Sequence, residues 1–450
     1  MRLYPFQRDV IGEIEGFRGK AICALDMGLG KTIVALRYLA DRKKWPALIV
    51  CPAVVKYHWE REAERLGLRT MVLEGTIPRQ PPKNLKIVIL NYDILRQWLP
   101  LLRGLNPAAV VLDECQALMS YGSLRTKASL ALCRGVDCVL ALSGTPLLNR
   151  PMELFNVLKL LRPNVFPFRR QFGERFCKPR WTPWGIKYDG VSHADELHSL
   201  LTRSCLIRRR KADVLDLPPK LREVIPVPIV RPDEYYQARD DFLDWLRRTD
   251  PKRIKGANKA EALVKIGYLL QLAARLKLKS VTDWINKWLA ETDEKLVVFA
   301  VHRKMIEALA RRCNAASVVV DGTVTGRARQ AAVDRFQNDK TTRLLIGNIQ
   351  AAGVGLTLTA ANTVVFTELA WRPGDHVQAE DRCHRIGTTK TVFAFYLVAH
   401  STIEEKLCRV LQEKQQVLSA VLDGDAGTGR LSVFDQLLRG MGRERPRLAP

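Results

Sequence analysis

The chain has 450 residues, a formal net charge of +25 and a pI of about 9.8. Apolar residues make up 47% and charged residues 26%, proportions that exclude a disordered chain and leave room for two or three hydrophobic cores. No run of about 18 apolar residues occurs and the segment MRLYPFQRDV lacks the apolar core of a signal peptide, so we expect a soluble, intracellular protein. The charge favours a polyanionic partner, with nucleic acid ahead of a membrane surface, although a GC-rich genome would also enrich arginine.

Strand-like apolar runs alternate with helical patterns from residue 20 to about residue 145. The runs are AICAL, ALIVCP, KIVILNY, AVVLDE and CVLALSG, and each ends in polar residues or glycine. This alternation predicts an α/β lobe, in which helices cover a parallel sheet and the functional residues lie at the carboxyl ends of the strands.

The first run leads into DMGLGKT, a pattern typical of a phosphate-binding turn. Backbone N–H groups of residues 28–32 would point at anionic oxygens, with the amino end of a helix behind them. We predict that Lys31 contacts the β- and γ-phosphates and that the Thr32 hydroxyl binds Mg²⁺. Leu25 stands where the usual pattern has its first glycine, which keeps an ordinary glycine-rich loop as an alternative. The predicted nucleotide-binding loop consists of Asp26, Met27, Gly28, Leu29, Gly30, Lys31 and Thr32.

The run AVVLDE ends in two adjacent carboxylates, Asp113 and Glu114. Beyond a phosphate-binding loop, such a pair suits a division of roles. We expect Asp113 to hold Mg²⁺, usually through water, and Glu114 to position and deprotonate the attacking water. In isolation, the pair would more often be a solvated strand end.

A second α/β series begins near Lys295 with KLVVFAVH, SVVVDG, RLLIGN, TVVFTEL and VFAFYLV. Its segment QAEDRCHRIG places Gln378, Arg382 and Arg385 at i, i+4 and i+7, which is one face of a helix. The two guanidinium groups would project together and stabilise charge on a phosphate. A basic surface helix is the alternative.

Residues 150–290 between the two series have a mostly helical pattern. They include the proline-punctuated segment LIRRRKADVLDLPPKLREVIPVPIV (206–230), the best candidate for a linker. We predict a first lobe at 1–225 with a helical insertion at about 150–205, a linker with a helical insertion at 226–290, a second lobe at 291–421 and a basic flexible tail at 422–450.

Three aromatic residues lie among basic residues in the segment KPRWTPWGIKYDG. The aromatic residues are Trp181, Trp184 and Tyr188, and the basic ones are Lys178, Arg180 and Lys187. Such a mixture can stack on nucleic-acid bases. Packing inside a helical insertion is the alternative, and we favour it.

The ordered motifs resemble those of superfamily 2 helicase-like ATPases in their SWI/SNF-related branch. They are LYPFQRDVI, DMGLGKT, LIVCPAVVKYHW, DECQ, LSGTPLLNRPMELF, VVFAVHRKM, AAGVGLTLTAANTVVF and QAEDRCHRIG. Within that branch, RWTPWGIKYDG, LIRRRKADVLDLPPKLR and ELAWRPGDHVQAEDRCHRIG are most similar to the HARP-like annealing helicases. The resemblance covers roughly residues 1 to 420 in colinear order.

The resemblance implies two RecA-like lobes that use ATP and Mg²⁺. It implies that Gln7 binds the adenine edge and that Gly355 and Thr357 join Arg382 and Arg385 in completing the site from the second lobe. It also assigns the coupling of hydrolysis to lobe movement to residues 143–145. DNA-facing segments are implied after Cys51, around Asn91 and around Thr357. Two positions depart from the family pattern: Gln116 replaces a histidine and Thr388 replaces a glutamine.

These observations favour an ATP-driven translocase on double-stranded DNA that remodels forks, branches or protein–DNA complexes. We expect it to bind duplex or forked DNA largely without sequence preference and not to bind membranes. A strand-separating helicase of the same superfamily is the first alternative, and a non-hydrolysing DNA-binding module is the second. The expected location is the nucleoid-containing cytoplasm of a prokaryote or viral host, or the nucleus of a eukaryote.

Overall fold

The computed structural model describes residues 3–82, 84–144, 150–182, 185–249, 257–324, 326–352, 356–423 and 429–430. The chain forms two compact units that divide between Leu217 and Pro218, and the segment Gln416–Leu431 counts with the first unit. Each unit contains one large parallel sheet with helical connections, so the predicted α/β fold with two RecA-like lobes is confirmed. None of the helices in these ranges is both long and apolar enough to cross a membrane.

The first unit is built on a seven-stranded sheet. The strands of this sheet are β1 (Lys20–Leu25), β2 (Ala47–Cys51), β3 (Thr70–Val72), β4 (Ile87–Asn91), β5 (Ala109–Asp113), β6 (Cys138–Ser143) and β10 (Leu206–Arg209). The unit also contains β7 (Pro179–Thr182), β8 (Gly185–Tyr188) and β9 (Gly190–Val191), which lie outside that sheet. Its helices are α1 (Pro5–Gly16), α2 (Lys31–Asp41), α3 (Lys56–Glu64), α4 (Leu95–Gly104), α5 (Leu124–Cys133), α6 (Phe155–Leu161), α7 (Arg169–Phe176), α8 (Ala194–Ser204) and α9 (Lys211–Val214).

The order of strands in this sheet is β10-β1-β6-β5-β2-β4-β3, and every pairing is parallel. The central strands are buried throughout, as expected where helices cover both faces of a sheet. Because β1, β6 and β5 are neighbours, their carboxyl ends meet at one edge. This order brings the glycine loop after β1 to the same edge as Asp113 and Ser143.

The second unit is built on a six-stranded parallel sheet with the order β11-β16-β15-β12-β14-β13. Its strands are β11 (Lys220–Val227), β12 (Leu296–Ala300), β13 (Ser317–Val320), β14 (Leu344–Asn348), β15 (Thr363–Phe366) and β16 (Val392–Ala399). Its helices are α10 (Pro232–Thr249), α11 (Ala257–Glu291), α12 (Arg303–Arg312), α13 (Gly326–Asn338), α14 (Ile349–Ala352), α15 (Pro373–Glu380) and α16 (Ile403–Asp423). The short strand β17 (Gly429–Arg430) pairs with β9 of the first unit.

The proline-punctuated segment 206–230 is a linker only in its middle. Its first residues form β10, the edge strand beside β1, and residues 220–227 form β11, which pairs with β16 along its whole length. The linker prediction is therefore wrong at both ends, and residues 218–225 lie with the second unit instead of the first. Proline normally argues against a strand, but an edge strand such as β11 can leave the nitrogen of Pro226 without a ladder partner.

The helical character predicted for residues 226–290 corresponds to α10 and α11. Both pack on the second unit, where Leu269 and Leu272 of α11 share a core with Val398 of β16. The predicted tail, 422–450, lies outside the described residues except for the last two residues of α16 and for β17.

Candidate active site

The loop between β1 and α2 depends on two glycines in a left-handed conformation. Gly28 has φ 89° and Gly30 has φ 81°, values that side chains other than glycine adopt only with strain. A Cβ atom on Gly30 would lie 2.5 Å from Nε2 of Gln7, so this glycine also makes room for a side chain. No side chain caps the amino end of α2, and its first N–H groups remain suited to an anion.

Lys31, the first residue of α2, holds its ammonium group over the end of β1. Its Nζ donates to the carbonyl oxygen of Leu25 at 2.9 Å and lies 3.6 Å from Sδ of Met27. Leu25 is fully buried, so its side chain belongs to the core while its carbonyl faces the loop. The residue that departs from the usual glycine pattern therefore does not displace the lysine.

Met27 brings the end of β6 against the loop. A Cβ atom on Gly144, directly after β6, would lie 2.7 Å from Cε of Met27, so only glycine permits this approach. Thr32 lies in the first turn of α2, beside Lys31. Thr145 and Gly355, which were also predicted to belong to the site, lie outside the described residues.

Asp26 anchors the loop to β10. Its carboxylate accepts hydrogen bonds from Nη1 of Arg208 at 2.7 Å and from the backbone N–H of Lys211 at 2.9 Å. Arg208 also donates to the carbonyl of Ala24 at 3.1 Å. Sequence analysis missed Arg208, although the run RRRK could have indicated that a nearby acidic residue would pair with it.

Gln7 lies in the first turn of α1 and contacts the loop directly. Its Oε1 accepts from the backbone N–H of Tyr4 at 3.1 Å, and its Nε2 donates to the carbonyl of Leu29 at 3.0 Å. The side chain is buried. Binding of an adenine edge by Gln7 stays a prediction, and the geometry places the residue at the loop where that contact would be made.

Asp113 is a buried carboxylate held by neutral donors. Trp59 Nε1 donates to Oδ2 at 2.8 Å and the backbone N–H of Glu114 donates to Oδ1 at 3.0 Å. Burial, followed by the charge of Glu114, raises the pKa of Asp113 to about 7. The charge of Lys31 offsets this rise only in part, so a divalent cation would stabilise the carboxylate further, and the donor set fits Mg²⁺. Trp59 was not identified from the sequence.

Glu114 has φ 50° and ψ 56°, a left-handed conformation that is costly for a glutamate. Its Oε2 accepts a hydrogen bond from Nε2 of Gln116 at 2.6 Å. Oε1 of Gln116 in turn accepts from the hydroxyl of Ser143 at 2.7 Å. The glutamine that departs from the family pattern thus connects the end of β5 to the end of β6.

The predicted arginine pair of the second unit does not lie on one helix face. Helix α15 ends at Glu380, and Arg382 and Arg385 follow in consecutive turns. Glu380, the last residue of the helix, is held by Arg222 and Lys220 of β11, at 2.7 and 2.9 Å. Burial alone would raise the pKa of Glu380, but Lys220 and Arg222 hold it at about 2.

Both arginines nevertheless reach the same segment. Arg382 is 1% exposed and its Nη1 lies 3.3 Å from the carbonyl of Leu356. Arg385 is half-buried, and its Nη1 donates to Oγ1 of Thr357 at 3.0 Å. Thr388 accepts from the backbone N–H of Arg385 at 3.0 Å and closes this turn. Arg382 therefore belongs to the interior, whereas Arg385 lies at its edge.

A third arginine, Arg329 of α13, was missed by sequence analysis. It is buried and donates to the carbonyl of Ala351. Burial and the positive charge of Arg382 lower the pKa of Arg329 to about 10. Two neighbouring buried guanidinium groups create a positive potential that would favour an anion. Only the fold reveals this proximity, because the two residues lie more than fifty positions apart.

Two parallel sheets, a glycine loop between β1 and α2 and an acidic end of β5 define a two-lobed, helicase-like P-loop protein. A family model described as the SNF2-related domain matches residues 17–282, and one described as the helicase conserved C-terminal domain matches residues 276–387. The chain belongs to the SNF2-related family. Membership implies the use of a nucleotide and confirms the resemblance to the SWI/SNF-related branch.

Two curated relatives illustrate the similarity. The chain is 33% identical over 424 residues to the Xenopus tropicalis SWI/SNF-related matrix-associated actin-dependent regulator of chromatin subfamily A-like protein 1, covering 92% of this chain and 44% of that protein. It is 33% identical over 447 residues to the Mus musculus DNA annealing helicase and endonuclease ZRANB3, covering 94% of this chain and 41% of that protein. The chain thus spans less than half the length of either relative. Among solved structures, the Sulfolobus solfataricus SWI2/SNF2 ATPase core in complex with dsDNA aligns over 94% of each chain with 22% identity and a TM-score of 0.45.

Proposed function

We propose that this chain is an ATP-driven translocase on double-stranded DNA, of the annealing-helicase type, that remodels forks, branches or protein–DNA complexes. The observation that carries the proposal is that Lys31, Asp113 and Glu114 come to the same edge of the first sheet. Lys31 follows the loop after β1, the two carboxylates lie at the end of β5, and only β6 separates these two strands. A triphosphate needs such a set of a cation, a metal-binding carboxylate and a base in one place.

Each residue of this edge has a proposed role. Lys31 and the N–H groups of the glycine loop bind the phosphates of ATP, and Gln7 binds the adenine. Thr32 and Asp113 would hold Mg²⁺, which when bound neutralises charge on the phosphates. Glu114 orients the attacking water and accepts its proton. In the second unit, Arg385 stabilises charge during turnover and Arg382 supports it from the interior.

DNA as the partner is supported by charge and by similarity. A net charge of +25 suits a polyanion, and contacts to phosphates depend little on sequence. The relative from Mus musculus is named a DNA annealing helicase. We propose that duplex or forked DNA is bound and that the protein acts where DNA is kept, in a nucleoid or a nucleus.

The strand-separating helicase remains the second candidate because it would use the same nucleotide site. A non-hydrolysing DNA-binding module is disfavoured by the retention of Lys31, Asp113 and Glu114 together with the buried Arg382. A decayed nucleotide site would be expected to have lost at least one of them.

ATP turnover measured without DNA and with duplex, single-stranded and forked DNA separates these functions. We expect turnover to depend on DNA and to fall as the salt concentration rises. The logarithm of the DNA-binding constant should fall with the logarithm of the salt concentration, with a slope of roughly −0.9 for each neutralised phosphate. A fluorescence-quench assay should then show ATP-dependent reannealing of a bubble or fork and no unwinding of a long blunt duplex. Efficient unwinding without reannealing would support the strand-separating helicase, and no turnover under any condition would support the binding module.

A further inference from the structure

The strands β7 and β8 form an antiparallel arm that is separate from the main sheet of the first unit. Its base is fixed to α7: a Cβ atom on Gly173 would lie 2.6 Å from the ring of Tyr188, so this ring lies directly on the helix backbone. The backbone N–H of Gly190 donates to the carbonyl of Cys177 at 3.1 Å. The arm therefore has a packed base and a distal end beyond the core.

Trp181 lies at the distal end of the arm and is 77% exposed. It pairs with Ile186, and Pro179 pairs with Tyr188, so these four side chains share one face of the arm. Tyr188 packs against the core of the first unit, as the packing alternative predicted, but Trp181 does not. Trp184 lies outside the described residues. The indole exposes a large apolar surface that the fold does not use.

The other face of the arm is basic. Arg180 pairs directly with Lys187 across the two strands, an arrangement that destabilises a hairpin because the charges are alike. Asp189 compensates in part, with its Oδ2 2.6 Å from Nη2 of Arg180. Residues 169–189 contain six basic and two acidic residues. This local surplus of positive charge matches a phosphate backbone.

An arm with an exposed indole on one face and basic side chains on the other fits DNA whose bases are not all paired. Bases inside a duplex already stack on one another and present no free face. An unpaired base can stack on an aromatic ring while the adjoining phosphates contact Lys or Arg. A membrane surface would match aromatic and basic side chains on the apolar and polar sides of a helix, but here Trp181 and Lys187 lie on a two-stranded arm.

We propose that the β7–β8 arm binds the branch point between duplex and single-stranded DNA, with Trp181 stacking on an unpaired base on one face and Lys187, on the opposite face, contacting a phosphate of the strand that passes around the arm. The proposal rests on the proposed function as a DNA-dependent motor and deepens it, because it assigns the preference for branched DNA to one side chain. The arm belongs to the first unit and is distinct from the nucleotide edge of its sheet.

The test compares the affinities of wild type and variants for a splayed fork and for a blunt duplex, by fluorescence anisotropy at one salt concentration. Trp181→Ala should weaken binding to the fork by about tenfold and binding to the blunt duplex by less than about twofold. Trp181→Tyr, which keeps an aromatic ring, should restore most of the affinity for the fork. Ile77→Ala is the matched control, because Ile77 is a similarly exposed apolar side chain of the same unit, at 75%.

A fork that lacks the first unpaired base allows a double-mutant cycle, in which removal of the base is combined with Trp181→Ala. If Trp181 stacks on the first unpaired base, removing that base should weaken wild-type binding as much as Trp181→Ala does, and the variant should lose nothing further. Equal losses on fork and blunt duplex, additive losses in the cycle or no loss at all would each overturn the assignment. If the wild type hydrolyses ATP on DNA and Trp181→Ala binds the fork as tightly as the wild type does, only the role of the arm is overturned. Absence of DNA-dependent turnover in every protein overturns the proposed function itself.

Discussion

The side chain of Gln116 donates a hydrogen bond to the carboxylate of Glu114 at 2.6 Å and accepts one from the hydroxyl of Ser143 at 2.7 Å. Glu114 follows β5 and Ser143 ends β6, so one amide connects the acidic strand end to the neighbouring strand. Because an amide has both a donor and an acceptor, it can hold both partners at once. We therefore interpret Gln116 as a positioning residue for Glu114.

Replacing Gln116 with leucine should uncouple DNA binding from hydrolysis. A hydrogen bond to a charged group contributes about 1.5–3 kcal/mol, so the DNA-stimulated rate should fall by roughly tenfold or more. We expect the rate without DNA to stay within about threefold, because the lost bonds link Glu114 to Ser143, in the segment expected to couple hydrolysis to lobe movement, and leucine has a similar size. Ser143→Ala removes one of the two bonds and should show a smaller effect in the same direction. Equal losses with and without DNA would instead place Gln116 in the chemical step.

Glu114→Gln should preserve nucleotide binding and stop hydrolysis. The amide keeps the shape of the side chain and its contact with Gln116 but cannot accept the proton of water. Equilibrium binding of a fluorescent ATP analogue should stay within about threefold of wild type while turnover falls by about a hundredfold or more. A parallel loss of affinity would show that Glu114 contributes to ground-state binding.

Lys31→Ala should lower turnover by at least about a hundredfold, because charge stabilisation and positioning provide most of the catalysis in phosphoryl transfer. Arg37→Ala is the matched control: Arg37 lies on the same helix, and its ion pair with Asp41 is exposed. Steady-state ATP hydrolysis in the presence of saturating DNA measures both. If the Lys31 variant retained a third of the wild-type rate of ATP hydrolysis, Lys31 could not have the proposed role in the nucleotide site.

Arg385→Ala and Arg382→Ala should differ in kind. Arg385 is half-buried and contacts Thr357, so its loss should leave ATP affinity nearly normal and reduce turnover, an effect that reaches about 10³-fold for arginine fingers. Arg382 is 1% exposed, so its replacement should also lower the resistance of the second unit to thermal unfolding. Measurements of ATP turnover, of nucleotide affinity and of thermal unfolding by circular dichroism distinguish the two variants. Equal loss of affinity and turnover in Arg385→Ala would assign that residue to ground-state binding.

His302 and Glu368 form a pair whose contribution to stability depends on pH. Nδ1 of His302 lies 2.6 Å from Oε1 of the buried Glu368, and this hydrogen bond raises the pKa of His302 despite partial burial. The contribution is complete below the unfolded pKa of about 6.5 and is lost as pH rises through the higher folded value.

Histidine NMR across a pH titration, with His302→Gln for assignment, should place the midpoint of His302 above about 6.5. In Glu368→Gln the partner is neutral while burial remains, so the midpoint should fall below the wild-type value. A midpoint that does not respond to the loss of the carboxylate would contradict the pairing.

The alternation of apolar runs and helical patterns was sufficient to predict two α/β lobes, because a strand covered on both faces must be apolar along its length. The same logic placed Lys31, Asp113 and Glu114 at strand ends, where a parallel sheet gathers its functional residues. Gln116, identified only as a departure from a family pattern, gained a physical role when the structure brought Ser143 to its other side.

What the sequence determined by itself was local: strand ends, the glycine loop and the runs of charge. Tertiary structure decided where segments with ambiguous local signals lie. Residues 206–230 contain strong turn and proline signals, yet both ends form edge strands, because pairing with β1 and β16 stabilises them more than their local preferences oppose. The i, i+4, i+7 spacing of Gln378, Arg382 and Arg385 predicted one helix face, but α15 ends at Glu380 and the arginines follow in turns. Periodicity reports only the spacing of residues along a chain, whereas burial and ion pairing depend on residues far away in sequence. Tertiary contacts therefore decided that Arg382 is interior and that Trp181 is exposed.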